Sequence, residues 1–156
     1  MTGVGTVVIV RPGRGTHYRI GPDHFRTKGG PRERTDAFAV IESEGRAGVP
    51  GPPPHVHRGF EEAWYILEGR VRFTTGRRTT SATPGTYLLV PRGVAHTFEV
   101  EGRSRARWLG IFSPARYVGL VQELGDVLPA HGPPDPARIR RLFAKYDSAL
   151  VGATHE

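Results

Sequence analysis

Three histidines and a carboxylate stand close together in the middle of this chain, in a pattern that can hold a metal ion. His55-Val56-His57 comes first, the acidic pair Glu61-Glu62 follows, and His96 arrives in the run Pro91-Arg92-Gly93-Val94-Ala95-His96. Strand side chains alternate with period two, so an extended segment points His55 and His57 to the same face. Neutral imidazole is the commonest metal ligand, and several such rings with one carboxylate suit a divalent first-row ion. Taken alone, His-x-His also fits an exposed strand edge, with the two acids in a solvated turn. As ligands, three neutral rings and one carboxylate leave a divalent ion positive overall. An ion that accepts five or six donors then keeps open positions for water, dioxygen or a substrate oxygen. Zinc prefers four donors and would be less reactive in such a set. Iron, nickel, manganese or cobalt suits it better, and the residues do not choose among them.

Donors need stiff elements to present them. Pro52-Pro53-Pro54 holds the backbone extended just before His55. After the turn Arg58-Gly59-Phe60, residues 62–67 read as a strand with Glu62, Trp64 and Ile66 on one face. Alternation alone does not decide between Glu61 and Glu62, since Glu61 shares its face with the equally apolar Ala63, Tyr65 and Leu67. Further strands are predicted over 6–11, 17–20, 36–43, 70–75, 86–90 and 104–112, with turn signals between them. A polar loop is predicted over 26–34, placed where it could lie across a barrel mouth. Nine or ten short strands at this spacing indicate an all-β sandwich or jelly-roll barrel. After Ser113 the period changes. Tyr117, Leu120, Val121, Leu124 and Leu128 recur at helical spacing, with Ser113 as expected N-cap and Pro114 as first helical residue. Asp135 and Pro136 repeat that start before Ile139, Leu142, Phe143 and Tyr146. Both helices carry one apolar stripe, expected to pack on the outside of the barrel or across a dimer. The organisation is one domain: N-terminal strands and loop over 1–35, the barrel over 36–113 and the helices over 114–150. Residues 152–156 are expected to fray, and His17, His24, His131 and His155 are expected at the surface or in turns, not as ligands.

Six residues separate Glu62 from Gly69, and five separate Gly85 from Pro91, with Gly93 and His96 beyond. In this spacing the chain resembles the cupin superfamily. Its first motif is His-x-His, three or four residues, Glu, six residues, Gly; its second is Gly, five residues, Pro-x-Gly, two residues, His. The interval to Gly69 favours Glu62 as the matching acid. The chain departs from the pattern at Val49, where a glycine is usual, and at Val100, where asparagine often closes the second motif. The resemblance implies a double-stranded β-helix barrel with His55, His57, Glu62 and His96 as metal ligands, and a homodimer. Among cupins, the chain looks most similar to one-domain proteins of the quercetin dioxygenase type. That likeness implies oxygen insertion into a phenolic substrate bound at the metal, with Glu62 also acting as general base. Trp64, Phe73, Phe98 and Trp108 are candidate walls of an aromatic substrate pocket, with plain core packing as the alternative for each. A cupin-type polyketide cyclase or isomerase that uses no oxygen, and a non-catalytic small-molecule-binding barrel, would use the same constellation.

The whole composition narrows the field. With 156 residues and no cysteine, the chain needs no disulfide staple and has no thiolate ligand or thiol nucleophile. Its start shows neither a signal peptide nor a membrane span, so the expected location is cytoplasmic. The formal charge is +7, yet only two of the 22 basic residues are lysine, beside 21 glycines and 14 prolines. That skew resembles GC-rich coding more than a phosphate track, and no nucleic-acid motif accompanies it. A small molecule is the expected partner, with neither nucleic acid nor membrane.

Overall fold

Alternation along β5 (Glu61–Glu68) shows how the barrel is built: Glu62, Trp64 and Ile66 are buried, whereas Glu61, Tyr65 and Leu67 face outward. The computed structural model describes residues 7–33, 35–128 and 135–152. Along these run β1 (Thr16–Ile20), β2 (Asp23–Gly29), β3 (Ala39–Gly45), β4 (His55–His57), β5, β6 (Val71–Thr75), β7 (Arg78–Ala82), β8 (Tyr87–Val90), β9 (Thr97–Val100), β10 (Ala106–Ser113), α1 (Val118–Val127), α2 (Pro136–Lys145) and β11 (Ser148–Leu150). One antiparallel sheet has the order β1-β2-β3-β10-β5-β8. Facing it, β7-β6-β9 and β11-β4 are joined by a bridge between His55 and His96. The result is the expected jelly roll. The bridge places the two motifs side by side, with His55 and His96 exchanging backbone hydrogen bonds of 2.9 Å in both directions. Gly93 adds a second tie, because its positive φ of 81° makes the turn that lets its N–H donate to the His57 carbonyl at 2.7 Å.

Four expectations are corrected. Residues 7–11 form no strand, and Val7 and Ile9 are 81% and 73% exposed. A β-branched run has strand propensity, but a strand needs a partner, and none of the described residues pairs with this run. Thr6 lies outside the described residues. Part of the loop predicted over 26–34 is strand: residues 26–29 complete β2, which pairs with both β1 and β3, a single 3-10 turn, Pro31–Glu33, follows it, and residue 34 lies outside the described residues. The register of β2 sets Phe25 against Tyr18 and Ser43. Ser113 does not cap a helix. It ends β10 and donates its hydroxyl to the Ala37 carbonyl at 2.9 Å, while a 3-10 turn over Ala115–Tyr117 precedes α1.

Asp135 does cap α2, accepting from the Ala137 N–H at 2.8 Å with Pro136 at the first helical position. Val118, Leu120, Leu142 and Phe143 of the two helices join one buried cluster with Ala39, Ile41 and Phe112. These barrel residues share the inward face with Glu62 and Trp64 through the registers of β3, β10 and β5. The helices therefore pack against the barrel's own interior at one end, and not on its outer surface. Among the described residues, no helix is long and apolar enough to cross a membrane.

Candidate metal centre

His55, His57, Glu62 and His96 converge, each at 6% exposure or less. One ligand atom from each lies within 4.8 Å of the others. Glu62 Oε2 stands 3.5 Å from His57 Nε2 and 3.4 Å from His96 Nε2. Both distances are longer than a good hydrogen bond. His96 Nε2 is fully buried without a hydrogen-bond partner, and leaving a buried polar atom so is costly unless something binds it.

The other nitrogen of each ring is engaged. His55 Nδ1 lies 2.9 Å from the Pro53 carbonyl and His96 Nδ1 lies 3.1 Å from the Val94 carbonyl. A carbonyl only accepts, so each of these nitrogens carries the proton. His57 Nδ1 lies 2.8 Å from Ser148 Oγ, whose hydroxyl donates to the Tyr146 carbonyl at 2.8 Å. Ser148 thus accepts from His57. All three neutral rings are held as Nδ1–H, leaving Nε2 as the lone-pair nitrogen, the tautomer a metal ligand requires. The donor set fits a divalent ion.

Ser148 reaches the site because β11 pairs with β4 in the register Ser148 to His57. Asp147 secures that strand, taking the Arg58 N–H on its backbone carbonyl and the Tyr117 hydroxyl on its carboxylate at 2.8 and 2.6 Å. Glu62 is held from its other side, where Trp64 Nε1 donates to Oε1 at 2.7 Å. Sequence reasoning placed Glu62 and Trp64 on one face but missed this bond. Nothing in the spacing pointed to Ser148.

Three phenylalanines enclose the rings: Phe60 stacks on His57 at 4.1 Å, Phe143 meets His55 edge-on at 5.8 Å, and Phe73 lies parallel to His96 at 6.0 Å. Of the candidate pocket residues, Trp64, Phe73 and Trp108 are buried and pack on one another, and Phe98 is half-buried beside them. Glu61 points away from the site and is exposed. His17 and His24 form an exposed pair, Nε2 to Nδ1 3.1 Å; His131 and His155 lie outside the described residues.

Burial pushes His55 down to about 4, helped by His96 and His57. Burial alone would push the Glu62 carboxyl up, but the His57 and His96 imidazoles overcome it and hold Glu62 below the usual carboxylate range. His96 is likewise lowered by burial and raised on balance by Glu62. A prediction follows for the metal-free protein. Unfolded His55 takes its proton near 6.5 and the folded residue only near 4. Between those values the unfolded state binds more protons, so stability should fall as pH falls through that window, by up to about 3 kcal/mol. Urea denaturation in chelator across this range tests it, with His55→Gln expected to flatten the slope.

The fold is a β-barrel whose buried centre brings together four residues that could hold a metal ion. Residues 45–112 match the family model of the Cupin domain, and this stretch holds all four of the converging residues. It is 25% identical over 133 residues to quercetin 2,3-dioxygenase of Bacillus subtilis (strain 168), an alignment covering 85% of this chain and 39% of that relative's length. Among solved structures, an RmlC-like cupin from Shewanella frigidimarina NCIMB 400 superposes with TM-score 0.60 at 20% identity, covering 71% of this chain and 94% of the other. The polyketide cyclase RemF from Streptomyces resistomycificus gives TM-score 0.59 at 21% identity, covering 73% and 94%. At these identities the two structures speak for the fold alone.

Proposed function

We propose that the chain binds a divalent transition metal through His55, His57, Glu62 and His96 and acts as a metal-dependent dioxygenase on a small phenolic molecule. The observation that carries the metal assignment is the shared tautomer: three separate acceptors hold three Nδ1 protons, leaving every Nε2 free as a donor. When bound, such an ion supplies a Lewis-acid centre that can take a substrate oxygen and orient a second reactant beside it. The chain's own contribution is to keep Glu62 ionised, to fix the ring orientations and to exclude water with Phe60, Phe73 and Phe143. With Oε1 bound to Trp64 and Oε2 turned toward the imidazoles, Glu62 is suited to the ligand role. Apolar aromatic surroundings favour a flat aromatic substrate over oxalate or a sugar. Likeness to the Bacillus subtilis quercetin 2,3-dioxygenase supports the same substrate class.

The test is metal analysis of protein purified without added ions, followed by oxygen uptake with the flavonol quercetin. Uptake should require the bound metal and stop when it is removed. Turnover that continues unchanged without oxygen would replace this reading with cyclase or isomerase chemistry, and quercetin binding without product over hours would point to a binding protein.

A further inference from the structure

We propose that Trp64 is a positioning residue of the metal centre: its indole N–H holds one oxygen of Glu62, so that Glu62 offers the ion a single oxygen, Oε2. This rests on the metal-binding reading above. Trp64 and Glu62 stand two apart on the inward face of β5, which sets their side chains next to each other. The indole nitrogen donates to Glu62 Oε1 at 2.7 Å, and the two residues are 2% and 6% exposed. A bond from N–H to a buried carboxylate is of the strong, charge-assisted kind. The indole can only donate, so no alternative proton arrangement reverses the bond.

The indole is itself fixed. Trp108 stacks on it at 4.8 Å with the planes 4° apart, Phe73 meets it edge-on at 4.9 Å, and Phe98 lies at 4.4 Å. An aromatic stack of this kind leaves the N–H a narrow range of positions, and Oε1 with it. Oε2 is the oxygen left over, and it is the one that lies 3.4 to 3.5 Å from two imidazole nitrogens. Without the indole N–H, Oε1 would be a buried acceptor with no partner, and the carboxylate would be free to turn. Groups that orient a ligand in this way are typically worth ~10–100-fold in metal affinity.

Trp64→Phe keeps an aromatic ring and removes the donor. Zinc affinity, measured by competition with a chromogenic chelator, should fall by ~10–100-fold. Trp108→Phe keeps an aromatic ring against the indole and leaves its bond to Glu62 in place, so zinc affinity should fall less than in Trp64→Phe. Equal affinity in wild type and Trp64→Phe overturns the positioning role and leaves the metal site standing. An equal loss in Trp108→Phe shows a packing effect and also overturns it. A wild type that takes up no zinc overturns both readings. The chain has two tryptophans, so the 15N-indole spectrum of the metal-free protein gives a reading that does not depend on Trp64→Phe folding. One indole N–H should exchange slowly with solvent and shift in Glu62→Gln; two indole signals unmoved by Glu62→Gln overturn the proposal.

Discussion

Alanine in place of His57 should leave the purified protein almost free of metal. The ring supplies one of four donors, and its removal leaves both the ion under-coordinated and Ser148 without the proton it accepts. Loss of an outer-shell partner alone costs ~10–100-fold in affinity, so loss of a ligand should exceed ~100-fold. The ring also stacks on Phe60 at 4.1 Å, so some stability will go with it, and circular dichroism should confirm that the variant is folded before metal is measured. His24→Ala serves as the control, because His24 belongs to the exposed pair with His17 and touches none of the four donors. Metal content should drop in the first variant and hold in the second. Retained metal in folded His57→Ala would remove the ligand assignment and the enzyme reading built on it.

The donors were legible because the sequence carries their spacing and their alternation together. Period two put Glu62, Trp64 and Ile66 inside and Glu61, Tyr65 and Leu67 outside, as the burial along β5 shows. Elements whose form depends on a distant partner were not legible. β2 reads as polar because His24, Arg26 and Lys28 interrupt Phe25 and Thr27, and only its pairing with β1 and β3 makes it a strand. The run over 7–11 shows the opposite error, since its residues have strand propensity and no partner. Ser148 is the hardest case: it fixes the tautomer of a histidine 91 residues earlier. Neither its own neighbours nor the 45–112 cupin match announces that contact. The four site residues belong to a local pattern, whereas one of the groups that orient them comes from β11, brought in by α2.

The neighbouring acids Glu61 and Glu62 give the sharpest contrast the chain offers. Glu62→Gln keeps the side chain's size and an oxygen for the Trp64 N–H, but removes the one negative charge among the four donors. Breaking a buried charge pair by neutralising one partner costs about 3–5 kcal/mol, and 3 kcal/mol corresponds to a loss of affinity of roughly a hundredfold. Glu61→Gln changes an exposed carboxylate on the outer face of the same strand. Surface substitutions of that kind stay within about 0.5 kcal/mol, so its metal affinity and thermal stability should match the wild type. Isothermal titration of zinc into both metal-free variants decides the matter. A reversed order would mean that the carboxylate facing the imidazoles in the barrel is not the one that binds, which no one-residue shift of β5 could accommodate without turning Trp64 and Ile66 out to solvent.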